Sequence, residues 1–166
     1  MGAIMLEKQV HVQATVEGDL REVWFLIEKD EDGYPESRTW EGMWARPMKD
    51  AFEILSVPFY LKNVSRGDVV DANQGDFLKF SDVRSRGGHN TYRLLMENGS
   101  HDEVETALTQ LRSKALVVEL NEAGILIAVD VPPSIDQQEI DAYLLSEKEA
   151  GRWQVQDGYL HNVRPS

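Results

Sequence analysis

Four side chains that carry or can carry positive charge fall close together in the middle of the chain: Arg84, Arg86, His89 and Arg93, set around Gly87-Gly88. Guanidinium groups present paired N–H donors to carboxylates and phosphates, so a turn gathering them makes an anion-binding corner. A phosphate, a nucleotide or an acidic peptide terminus would fit it. Paired glycines reach φ > 0 without strain, so a tight reversal there is cheap. The plainer reading is a solvated turn between two regions, whose arginines pair with nearby acids such as Asp82.

His89 is the histidine best placed for chemistry. His11, His89, His101 and His161 contain no HExxH or similar spacing, so no metal site is read from them. His101 falls in the first turn of a predicted helix, and His11 and His161 lie in weakly patterned ends. A general base at His89 would need a carboxylate or carbonyl to orient its ring, and Asp68 and Asp82 are candidates. No phosphate-binding loop, dinucleotide fingerprint or nucleophile elbow is present. Asp30-x-Asp32-Gly33 suggests calcium, but Tyr34-Pro35 and neighbouring strands break the loop that calcium needs. The absence of cysteine excludes thiolate chemistry, disulfides and cysteine-based zinc sites. No catalytic residue, metal or cofactor is assigned.

Aromatic residues supply the other candidates. Trp24 lies in an apolar run and is expected in a core, and Trp153 is expected to pack the last strand onto a helix. Trp40 and Trp44 share a strand face, with one of them exposed beside Arg46. Surfaces combining aromatics with arginine concentrate binding energy at interfaces.

The elements that position these residues change period at the central stretch. From Leu20 to Val83 short strands alternate with turns: Val23–Ile27, Glu41–Pro47, Ala51–Leu55, Val69–Ala72 and Phe77–Phe80, with an irregular packed crossing at Val57–Tyr60. This predicts a small antiparallel SH3-like barrel, whose closure protects sheet edges. From Thr91 the order is strand, helix, strand, strand, helix, strand. Ser100-His101-Asp102-Glu103 forms a capping box, and Val104, Ala107, Leu108 and Leu111 paint one helical face. Ala115–Leu120 and Ile125–Asp130 read as strands. Ser134 or Asp136 caps a second helix ending at Gly151, and Arg152–Gln156 is the final strand. That order is the ferredoxin-like βαββαβ arrangement. The expected fold class is therefore α+β in three parts: a weakly structured segment 1–19, a barrel 20–88 and a ferredoxin-like domain 89–166. A short strand within Val10–Val16 is possible.

The sequence resembles a bacterial family known as an uncharacterised domain of unknown function. The resemblance rests on Asp32-Gly33-Tyr34-Pro35, Trp44-Ala45-Arg46-Pro47, Pro58-Phe59-Tyr60, Ser65-Arg66-Gly67-Asp68-Val69-Val70, Gly88-His89-Asn90-Thr91-Tyr92-Arg93 and Ala128-Val129-Asp130-Val131-Pro132-Pro133. Their order and spacing carry it, from Val23 to about Tyr159. It implies no activity and assigns no role to any residue.

Charge narrows the classes. The 166 residues carry 17 basic and 29 acidic side chains, a net charge of −12. Through Gly88 there are 11 basic and 16 acidic residues, and beyond it 6 and 13. Such a field repels nucleic acid and steers a basic protein toward the surface. No signal peptide, lipidation motif or membrane span is read, so the expected location is the cytoplasm. The expected function is a non-enzymatic protein-binding module of the kind of an acidic inhibitor or immunity-type protein (antitoxin) that neutralises a basic partner such as a toxin. Its candidate contacts are Trp44, Arg46, Arg66, His89 and Arg93. The alternative is a sensor of a small anionic ligand, phosphate or nucleotide, held between the two domains by Arg66, Arg86, His89 and Arg93. A hydrolase built on His89 is a third reading.

Overall fold

Twelve elements are present in the computed structural model, which describes residues 3–7 and 19–161. In chain order they are β1 (Ile4–Leu6), β2 (Arg21–Leu26), β3 (Thr39–Pro47), β4 (Phe52–Ile54), β5 (Val69–Gln74), β6 (Leu78–Ser85) and β7 (Asn90–Leu95). Then follow α1 (His101–Ser113), β8 (Val117–Leu120), β9 (Leu126–Val131), α2 (Gln137–Glu149) and β10 (Gln154–Asp157).

The first half closes into a five-stranded barrel. Its order is β3-β2-β6-β5-β4, and β4 returns to pair with β3. Four of the five ladders are antiparallel and the β2–β6 ladder is parallel. The expected barrel was antiparallel throughout, and parity explains the difference. Five strands that alternate in direction leave the first and last pointing the same way, so their seam is parallel. Val23 and Phe25 of β2 face inward with Met43, Ala45, Ile54, Val70 and Leu78. Trp24 is also buried, but on the outer face, where it and Trp40 both meet Phe77 edge-on. β1, within the segment read as weakly structured, adds outside the barrel in parallel with β3. The strand considered within Val10–Val16 lies outside the described residues.

The second half is one four-stranded sheet, order β10-β7-β9-β8, with every neighbouring pair antiparallel. Both helices lie on one face. Val104, Ala107, Leu108 and Leu111 of α1 and Ile140 and Leu144 of α2 pack against Tyr92, Leu94, Ile127, Val129 and Val131. Ser100 Oγ accepts from Glu103 N at 3.2 Å, as a capping residue should. At α2 the cap is Asp136 rather than Ser134, its carboxylate accepting from Gln138 N. Gly151, at φ 79°, follows the end of α2 in the left-handed region. The same role after α1 falls to Ala115 at φ 63°, which removes Ala115 and Leu116 from the strand expected there.

The Gly87-Gly88 reversal does not form. Residues 86–89 run as an irregular link into β7. Gly88 does use φ +85°. Gly87 is needed for a different reason: an added Cβ would stand 2.5 Å from the carbonyl oxygen of Gly67. Two backbones touch there.

Candidate functional site

The backbone contact at Gly87 belongs to a polar seam between the barrel and the second sheet. Along β7 and β9 side chains alternate between faces. Tyr92, Leu94, Ile127 and Val129 therefore face the helices, while Thr91, Arg93 and Asp130 point the other way. These three are as buried as the core, at 0%, 2% and 0% exposed. What covers them is the connection from β4 to β5, residues 55–68. A buried loop must find partners for its own N–H and C=O groups, because water cannot reach them. Here charged side chains do that work. Glu41 accepts from Phe59 N at 2.6 Å and from Tyr60 N at 3.2 Å. Glu119 of β8 accepts from Val57 N, and Arg93 donates to the Leu61 carbonyl. Arg86 donates to Asn63 O at 2.7 Å, and Arg66 Nε to Leu55 O at 3.0 Å. Ser65 Oγ and Thr91 Oγ1 lie 2.6 Å apart across the seam.

His89 sits at the centre. Its Nδ1 is 2.9 Å from both oxygens of Asp130, a geometry in which Nδ1–H donates to a carboxylate. The ring lies against Gly67, where an added Cβ would fall 2.6 Å from Nε2. Gly67 also holds φ +89°, so two independent constraints select glycine. Arg66 Nη1 stands 3.8 Å from Asp130. Asp68, 1% exposed, accepts from Ser65 N at 2.9 Å, Arg86 at 2.9 Å and Gly87 N at 3.0 Å. Arg86 is in turn stacked 3.9 Å from the centre of the Tyr159 ring.

Burial drives the electrostatics. Desolvation raises the pKa of Asp130 above the ordinary carboxylate value, opposed by the His89 hydrogen bond and by the charges of His89 and Arg66. Desolvation likewise lowers Arg93, opposed chiefly by Glu41. Arg93 Nε finds no hydrogen-bond partner among the described residues. The charged groups of the seam are Glu41, Asp68, Glu119 and Asp130 against Arg66, Arg86 and Arg93. Among the described residues each seam guanidinium already meets an acid or a carbonyl of the chain.

The six side chains singled out from sequence are thus divided. Arg66, Arg86 and His89 meet at the seam, each on an internal acid. Arg93 is in the seam but buried, so it cannot be a surface contact. Trp44 and Arg46 stand apart on β3, with Trp44 half-buried and Arg46 paired to Glu53. Arg84 points elsewhere, pairing with Asp71. The acid that orients His89 is neither Asp68 nor Asp82. Asp68 is spent on Arg86 and the backbone, and Asp82 is exposed on β6 opposite Asp71. Asp130 was missed because it ends an apolar run and looks like a strand terminus. A carboxylate between Val129 and Val131 was the available signal, since such a buried charge needs a partner. Among the described residues no three His, Asp or Glu side chains are grouped to hold a metal ion.

Residues 41–155 match the family profile described as domain of unknown function, DUF4265. That span includes β3 to β10 in part or whole and every residue of the seam except Tyr159. A solved structure described as a hypothetical protein from Neisseria gonorrhoeae is similar in fold. Its TM-score is 0.69 at 16% identity, over 87% of this chain and 98% of that one. No curated protein matches the chain.

Proposed function

The chain belongs to the DUF4265 family, and on that premise we propose that it is a non-enzymatic module that binds a basic protein, in the manner of an inhibitor or immunity-type protein. One observation carries the reading: the arginines near the central stretch, and Arg46, already meet acids of the chain or are enclosed by it. Arg66 is on Asp130, Arg86 on Asp68, Arg84 on Asp71 and Arg46 on Glu53, while Arg93 is enclosed. The field outside is then set by the acid excess of a chain with net charge −12. The strand order of the second sheet supports reading it as ferredoxin-like, and five closed strands support an SH3-like barrel for the first. Among the described residues no helix is long and apolar enough to cross a membrane, which is compatible with action in the cytoplasm.

A small anion held between the halves is the weaker reading, because Asp68 and Asp130 already occupy the arginines it would need. A hydrolase has the His89–Asp130 pair in its favour, since an oriented imidazole is the form a general base takes. Titration calorimetry against a small, strongly basic folded protein tests the proposal, with phosphate and ATP as counter-probes in a thermal-shift assay. A one-to-one complex that weakens as salt rises is expected, with no stabilisation by phosphate or ATP. Binding of phosphate or ATP, without any basic protein complex, would overturn it.

A further inference from the structure

The helical side of the second sheet carries a groove of about 200 Å³ between α1, the end of α2 and the link that leads into β10. Its floor is apolar: Met96, Ala107 and Trp153. The ring of Trp153 is fixed from two sides, by Tyr143 at 6.0 Å edge-on and by Nε1–H donating to Leu144 O at 3.3 Å. Three carboxylates stand on the rim: Asp102, Glu103 and Glu147. Glu103 is partly engaged, since the Ser100 hydroxyl donates to it at 3.2 Å. Glu147 is 17% exposed and is met by Arg152 in an ion pair without good hydrogen-bond geometry.

We infer that this groove docks an arginine or lysine side chain from the basic protein partner. The inference rests on the binding function proposed above and adds the place. Charge complementarity selects the occupant. An aliphatic stem laid along Met96 and Trp153 with a cationic head among three carboxylates satisfies both the apolar floor and the acidic rim. Arg152 meets Glu147 at the acidic end, and its side chain is 63% exposed, so an incoming cation competes with it for the same carboxylate. A neutral apolar side chain would leave the rim carboxylates beside an uncharged occupant, and an acidic one would be repelled.

The test is a ¹⁵N-correlation titration with hexa-arginine as the probe, read at the Trp153 indole N–H and the amides of residues 102–107. These signals should move first and saturate together. The double variant Asp102→Asn/Glu147→Gln should bind at least about fivefold more weakly, as loss of two rim charges implies. Arg152→Ala should bind more tightly, because it removes the competing cation. Thr106→Leu, an exposed helical substitution that narrows the groove without touching charge, should also weaken binding. It carries the test if the double variant fails to fold. Shifts confined to other surfaces, or groove variants that bind as the parent does, would sink the groove and leave the wider proposal standing. If neither hexa-arginine nor the basic folded protein binds anywhere, both fall.

Discussion

The seam and the groove place similar chemical groups in opposite situations. At the seam, carboxylates and guanidinium groups are buried and almost every polar atom is answered from within the chain. At the groove, Asp102 and Glu103 stand exposed beside an apolar floor, and the half-buried Glu147 meets one exposed arginine. Charged residues in a loop therefore do not announce a ligand site. What distinguishes structure from recognition is whether the chain itself supplies the partner. A buried polar set must be complete to be tolerated, whereas a surface set can be left for something else to complete.

This contrast can be broken in stages. The largest effect belongs to Arg93→Ala, which removes an enclosed guanidinium, its hydrogen bond to the Leu61 carbonyl and its charge interaction with Glu41. It should destabilise by about 3–5 kcal/mol in chemical denaturation, and a loss no larger than a surface substitution gives would show the seam to be incidental. Gly67→Ala should cost about 2–3 kcal/mol, because it forces a side chain into left-handed backbone and against His89. An unchanged denaturation midpoint would show that the His89–Gly67 contact gives way freely.

Asp130→Asn gives a smaller effect, seen as pH dependence. Burial raises the pKa of Asp130, so the fold favours its protonated form. That contribution is complete below the unfolded carboxylate pKa of about 3.9 and is lost as pH rises through the raised folded value. The asparagine variant should therefore gain stability relative to the parent as pH rises from acid toward neutral. A difference that is constant with pH would contradict this sign. Glu147→Gln should be the mildest, within about 0.5 kcal/mol, because its ion pair involves an exposed arginine. A cost comparable with the seam variants would erase the contrast between the two regions.

Much of this architecture was legible. Alternating apolar residues marked most strands, and the 3.6-residue repeat of Val104, Ala107, Leu108 and Leu111 marked α1, because one face of each element must be buried. The crossing at Val57–Tyr60 was legible too, since proline interrupts an apolar run. The seam was less so. Which acid meets His89 depends on β9 lying beside β7, a pairing between segments some forty residues apart that no local pattern encodes. Arg93 looked like a surface residue because arginine usually is one. Only the stacking of one sheet on a buried connection reverses that. Gly87-Gly88 was read as a reversal, whereas Gly87 instead lets the backbone of Gly67 come close, an approach between distant segments that no local pattern encodes. The groove was not foreseen, because its rim comes from α1 and α2 and its floor partly from beyond both helices.

Because the seam ties buried polar groups of both halves together, barrel and second sheet are expected to unfold as one cooperative unit. Three tryptophans, Trp24, Trp40 and Trp44, report on the barrel, and Trp153 reports on the second sheet. Fluorine-labelled tryptophan resolves all four in a single denaturant titration. Coincident midpoints are expected in the parent protein, separating when Asp130→Ala and Ser65→Ala are combined. Barrel indoles that unfold at a different denaturant concentration from Trp153 in the parent would contradict the account.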